Sequence, residues 1–289
     1  MKWIYQLFFI CSLTILFQLS PLAAQQDIHP EKTVYADYKQ WPATAPGDVK
    51  LKNFRPFRAV YERNYKVGAG PLKGEPRQDR VIVTAEEVAW HGKRAVLISI
   101  FDSGNVENDD TNARSLSMFV DLEYLDLLFE IGPIPGKAKD YYVANVMEKN
   151  AMVSFVMSET GQSQNQNTEI SQPGFGPGSW AMACMELKKD MKIRLDPFYS
   201  PRGNTIAGRD FARVLQQDNY TGGGNTFKAW VVETVASLSG SRVQQRYLIA
   251  EPPYYLGTES VNLETGEKKD FMRLQTFEYL GSGKANDGH

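Results

Sequence analysis

The side chains that could do chemistry in this 289-residue chain are few, and their types and spacing limit what that chemistry could be. Cys184, in WAMACMEL, is the one cysteine besides Cys11. A thiol acts as a nucleophile or metal ligand only as the thiolate. Ala181, Met182, Ala183 and Met185 raise its pKa rather than lower it and supply no base. Cys184 therefore reads as a small core residue. His91 is the only histidine besides His29 and His289, near the two ends, so any Ser–His–acid or Cys–His arrangement would have to use it. It falls in a predicted hairpin turn, where an imidazole is ordinarily solvated. One histidine and one cysteine make at most half a zinc shell, so zinc is not expected. The loop DSGNVENDD (102–110) gathers Asp102, Glu107, Asp109 and Asp110 as candidate calcium ligands, oxygen donors being what calcium takes. Its spacing lacks the glycine that an EF-hand loop needs at the sixth place. A soluble connection between strands is the favoured reading of this loop. The sequence assigns no catalytic residue and no cofactor.

Aromatic side chains are the remaining handle. Trp230, Tyr247, Tyr254 and Tyr255 fall within the last third of the chain, with Phe271, Phe277 and Tyr279 after them. On the concave side of a curved sheet they would suit an acyl chain or a sugar. For any one of them, core packing in a strand is the competing reading. The glycine clusters PGFGPGS and YTGGGN lack the GxxxxGK[ST] spacing of a phosphate loop and read as turns.

The elements that would carry these residues are strands. Phe57, Ala59 and Tyr61 alternate with Arg58, Val60 and Glu62, the period of a half-buried strand. DRVIVTAEEVAW and RAVLISIFD, joined by HGK, form a hairpin signal, and DYYVANVME, KN, AMVSFVMSE form a second. Between them SLSMFVDLEYLDLLFEIG begins as a strand, and its acids and leucines predict a short helix over 122–129. The final third is a meander, with Gly240 and Gly266 supplying turns and Pro252–Pro253 confined to a strand end or edge. About ten strands are expected, in an all-β, mainly antiparallel fold: a curved sheet, half-barrel or barrel-like meander with one or two short helices.

The N-terminus reads MKWIYQLFFICSLTILFQLSPLAAQQ, a charged start, an apolar run and small residues at Ala23 and Ala24, in the order of a secretory signal cleaved after Ala24. The division expected is a signal peptide over 1–24, an extended lead-in over 25–54, one β-rich domain over 55–281 and a flexible tail over 282–289. Tyr35, Tyr38 and Trp41 are the side chains expected to pack the lead-in. Cleavage removes one base, Lys2, so 31 Lys+Arg face 34 Asp+Glu. That balance argues against nucleic acid as a partner, because phosphate neutralisation needs clustered base. No transmembrane span is expected after cleavage. Cys184 then has no partner for an internal disulfide, so stability must come from packing.

The ordered segments WAMACMELKKDMKIRLDPFYSPRGN, AGRDFARV, GGGNTFKAWVVETV and RVQQRYLIAEPPYYLGTESVNLETGE carry a family resemblance. Over about residues 55–280 the chain resembles a family of exported bacterial β-rich proteins known only as a domain of unknown function. Asn225 stands where that family more often has glycine, and Lys188-Lys189-Asp190 where it often has a glycine turn. The resemblance implies a curved antiparallel sheet, similar to the half-barrels of periplasmic lipoprotein carriers, in a periplasmic or outer-membrane-associated protein. It implies no reaction. The expectation for function is non-catalytic binding, on the curved sheet, of an apolar or amphipathic ligand, lipid-like or glycan, or of an envelope protein partner. The alternative is a hydrolase or lyase acting on envelope or extracellular polysaccharide through carboxylates such as Asp102, Asp109 and Asp110.

Overall fold

The structure is a computed structural model, and it describes residues 37, 40–66, 74–102, 114–133, 142–148, 151–157, 163–169, 174–195, 210–235 and 242–281. Fifteen strands and one helix are defined in it. They are β1 (Ala43–Thr44), β2 (Phe57–Lys66), β3 (Pro76–Trp90), β4 (Lys93–Asp102), β5 (Arg114–Asp121), β6 (Leu127–Pro133), β7 (Tyr142–Met147), β8 (Ala151–Met157), β9 (Ser163–Glu169), α1 (Gly178–Cys184), β10 (Lys192–Leu195), β11 (Asp210–Gly222), β12 (Asn225–Val235), β13 (Arg242–Leu248), β14 (Tyr255–Asn262) and β15 (Lys268–Tyr279).

All fifteen strands belong to one sheet. Two meanders, β2 to β9 and β10 to β15, each run in sequence order, and β15 pairs antiparallel with β2 to join them. Among the described residues the one parallel pair is β1 with β10 at an edge. The all-β, mainly antiparallel class expected from the sequence is what the chain adopts. The strand count is higher than about ten; β1, with two residues, is too brief to show a period of two, whereas β10 buries Ile193 and Leu195 in the alternation that MKIRL shows in the sequence.

Local chemistry explains the hairpins. His91 and Gly92 have φ of 48° and 78° between the paired residues Trp90 and Lys93, the two left-handed positions of a type I′ turn. Gly223 and Gly224, with φ of 59° and 76°, do the same between Gly222 and Asn225. Phe57, Ala59 and Tyr61 of β2 are buried in the predicted alternation.

The helix expected over 122–129 does not form. Asp121 instead accepts the amides of Glu123 and Tyr124 at 2.8 and 2.9 Å, and Leu125 closes the turn at φ 58° with its amide on the Asp121 carbonyl. A side chain that captures nearby amides competes with helix formation, and β6 begins at Leu127. Helix α1 lies elsewhere, in WAMAC. It has no side-chain N-cap and no acid in its first turn, and Gly178 and Trp180 to Cys184 are buried. Seven residues do not sustain a helix alone; this one is held by burial.

Around α1 the sheet curls. Trp180 packs on Phe57 of β2 and on Tyr254, with ring centroids 5.5 and 4.8 Å apart. The same core takes Ile98 of β4, Val120 of β5, Ile193 and Leu195 of β10, and Val232 of β12. Strands far apart in the sheet thus share one interior, with α1 as its filling. The described part of the lead-in is tied to the domain. Trp41 is buried edge-on against Phe211, and the Leu51 amide donates to the Glu123 carbonyl at 2.7 Å. Tyr35 and Tyr38 lie outside the described residues.

Closeness of the packing shows at Gly257 on β14. A Cβ there would stand 2.6 Å from the Met272 carbonyl oxygen and would strike the Tyr220 hydroxyl. Because that oxygen belongs to backbone, it cannot swing aside. Gly257→Ala should therefore cost about 1–3 kcal/mol, the range for overpacking a filled site. Urea unfolding measures it; a loss under about 0.5 kcal/mol, the size of a neutral surface change, would mean that β14 and β15 can separate freely.

Candidate functional site

At one end of the sheet the β3–β4 turn, the β5–β6 turn and the segment after β1 converge on an open cleft of about 730 Å³. Leu51 and Leu122 give it apolar wall, and Lys93, Arg94, Asp121 and Glu123 give it both signs of charge. Each is placed by the backbone just described. Lys93 and Arg94 follow the type I′ turn, Asp121 caps its own turn, and Leu51 is fixed by its hydrogen bond to Glu123. Arg94 is engaged by Glu87 at 2.6 Å, and Lys50 reaches Glu123 at 3.4 Å and the face of Tyr124 at 5.3 Å. Beside Asp121, burial pushes the Asp126 carboxyl up to about 6, helped by the Asp121 charge and opposed by the Gly47 amide that donates to it at 3.1 Å.

A second polar group is internal. Register puts Phe57, Ala85, Ile98, Met118, Glu130, Asn145 and Ser154 in one row across β2, β3, β4, β5, β6, β7 and β8. The apolar half of that row belongs to the main core, where Phe57 meets Trp180 of α1; the polar half forms a chain. Asn145 Nδ2 donates to Glu130 Oε1 at 2.7 Å, and Ser154 Oγ donates to Asn145 Oδ1 at 2.6 Å. All three are buried, and Met152, also buried, lies on the strand carrying Ser154. Burial drives the Glu130 carboxyl up to about 7, with the Asn145 hydrogen bond acting weakly the other way. Charged carboxylate is costly in such surroundings, so the group is partly protonated at neutral pH.

The four meander aromatics all belong to or pack against the main core. Tyr254 is fully buried between Phe57 and Trp180, its hydroxyl on the Lys52 carbonyl at 2.6 Å. Tyr247 is buried, stacks on Tyr220 at 4.7 Å and donates to Glu259 Oε2 at 2.7 Å, an oxygen that Lys268 also reaches at 3.2 Å. Half-buried Tyr255 meets Thr258 Oγ1 at 2.6 Å, while its carbonyl accepts from Tyr61 at 2.7 Å. Trp230 is half-buried against the main core. Burial pushes the Tyr220 and Tyr255 phenols up to about 12 and Tyr247 and Tyr254 further, so none ionises at neutral pH.

Of the other sequence candidates, Cys184 is buried and its thiol is pushed up to about 11 by that burial. His91 is exposed in its turn, its ring 4.8 Å from Trp90. Asp102 ends β4, and Glu107, Asp109 and Asp110 lie outside the described residues. Among the described residues no group of three or more His, Cys, Asp or Glu could hold a metal ion, and no helix is long and apolar enough to cross a membrane.

The fold and cleft thus define an all-β protein on a single curved sheet that packs on a short buried helix. No protein-family model matches the chain, and no curated protein matches it. Among solved structures it is similar to a crystal structure of a beta-barrel-like protein of domain of unknown function DUF1849 from Brucella abortus. The two are 11% identical, with a TM-score of 0.45, over 79% of this chain and 99% of that one. The likeness assigns no activity.

Proposed function

We propose that this is an exported, non-catalytic protein of the periplasm or outer membrane, and that it binds an amphipathic ligand in the cleft between the β3–β4 and β5–β6 turns. The observation that carries the reading is the lining: Leu51 and Leu122 beside Lys93, Arg94, Asp121 and Glu123. Ligand sites combine apolar wall with a few placed polar groups, and this lining suits a molecule with an apolar body and a charged or zwitterionic head. Trp180, Phe57, Tyr254, Phe175 and Met182 are packed together in the main interior, away from this lining.

Native mass spectrometry of protein purified from its own host is the direct test. The expected result is a co-purifying adduct of constant mass, lost on Leu122→Asp and weakened on Lys93→Glu, while far-UV circular dichroism stays unchanged. A wild-type protein that is consistently ligand-free would end this reading.

A further inference from the structure

The face of the sheet opposite the main core changes character from one strand to the next. Where β2 meets its neighbours it is charged: Arg58 is level with Glu278 of β15 and pairs with it at 3.5 Å, and Glu62 is level with Arg80 of β3. That is the polar side an antiparallel sheet ordinarily presents to water. From β4 to β8 the same face is apolar. Register sets Leu97, Phe119, Phe129, Val146 and Val153 level across five strands, and each is half-buried. Their chain neighbours Ile98, Met118, Glu130, Asn145 and Ser154 form the buried row described above, so the two rows occupy opposite sides of the same strands.

A second row on this face brings Ile131, Ala144 and Phe155 level. Further along β4, four residues from Leu97 and so on the same side, Phe101 is 44% exposed. The first row ends in exposed polar residues, Glu86 of β3 beside Leu97 and Asn167 of β9 beside Val153. Trp90 closes the band at the β3–β4 turn, its ring 4.3 Å from Phe119 and 5.3 Å from Phe129. Past it the turn carries the exposed His91, Lys93 and Arg94. Arg94 is engaged by Glu87, and Lys93 pairs with no acid among the described residues.

We propose that this face docks on the surface of a lipid bilayer with anionic headgroups. The band sits at the boundary of headgroups and acyl chains, and the β3–β4 turn lies at headgroup level. Two observations select a bilayer as the occupant. The first is the rim: tryptophan beside lysine and arginine at the end of an apolar surface suits that boundary, the indole bridging acyl chains and water while the cations meet phosphate. The second is size. Five strands about 4.8 Å apart and rows about 7 Å apart make a band of a few hundred Å², below the roughly 800 Å² per partner of a standard protein interface. A bilayer sets no such minimum, because binding there grows with buried apolar area and with attraction to anionic lipid. This docking does not depend on occupation of the cleft.

Flotation of protein purified from its own host with vesicles of phosphatidylglycerol and phosphatidylethanolamine is the test. The wild type should float with the vesicles. Phe101→Asp, a change at an exposed position, should lower its partition about tenfold, the effect of withdrawing one large apolar side chain from lipid. Fluorescence then locates the contact. In vesicles of brominated lipid the tryptophan introduced by Phe101→Trp should be quenched, and the one introduced by Thr276→Trp, exposed on β15 and level with Val60, should not. Should Phe101→Asp fail to fold, this conservative pair still decides. A wild type that does not float, a folded Phe101→Asp variant that floats equally well, or two probes that respond alike would each overturn the proposal. So would a wild type whose mass doubles in solution and reverts on Phe101→Asp, since a second copy would then cover this face.

Discussion

Glu130→Gln is expected to stabilise the protein by up to about 3 kcal/mol at pH 8 and to leave its stability unchanged at pH 4. In the unfolded chain the Glu130 carboxyl loses its proton at an ordinary value, 4.5; in the folded protein, where it is 1% exposed, it holds the proton up to about 7. Between those values the native state binds a proton that the unfolded state has released. The stability this gives is fully present below 4.5 and drains away as pH rises through 7. Glutamine has nearly the same shape, keeps an acceptor for Asn145 Nδ2, and does not titrate. The difference between the two proteins should therefore open from pH 4.5 to about 7 and stay flat above. Urea unfolding at several pH values measures it, and other titrating groups cancel in the comparison. Stability curves that run parallel across the whole range would mean that water reaches Glu130 and the row is not sealed.

That row also shows what a sequence can and cannot tell. Each of LLFEIGP, YVANVM and AMVSFVM carries one polar side chain inside an apolar strand, a signal visible without any structure. What makes them a site is register: Glu130, Asn145 and Ser154 meet only because the β6–β7 and β7–β8 pairings bring them level. The hairpins were legible because their chemistry is local, as at His91–Gly92. Pairing of β15 with β2 was not, since it sets Leu274 against Tyr61 across nearly the whole domain. The cleft is hidden for the same reason. Its lining comes from residues 51, 93–94 and 121–123, with no common spacing. At 122–129 local propensity pointed to a helix, and it lost to the Asp121 turn and the burial of Leu127 in the sheet.

The largest loss of stability is expected from Trp180→Ala, about 3–5 kcal/mol, the range for emptying a fully packed aromatic site. The indole lies between Phe57 of β2 and Tyr254, the latter held by its hydroxyl on the Lys52 carbonyl. Neither ring can move in to fill the space. β2 is paired on both sides, with β15 and β3, and Tyr254 is fixed at φ 64° in the turn before β14. Nor can α1 collapse inward as a unit, because without caps its seven residues depend on the contacts being removed. Trp180→Phe keeps an aromatic ring in place and should cost markedly less, under about 2 kcal/mol. Equilibrium unfolding of the two variants separates the readings: if both cost the same small amount, α1 is a passenger on the sheet and something other than its burial keeps the two meanders curled around a common core.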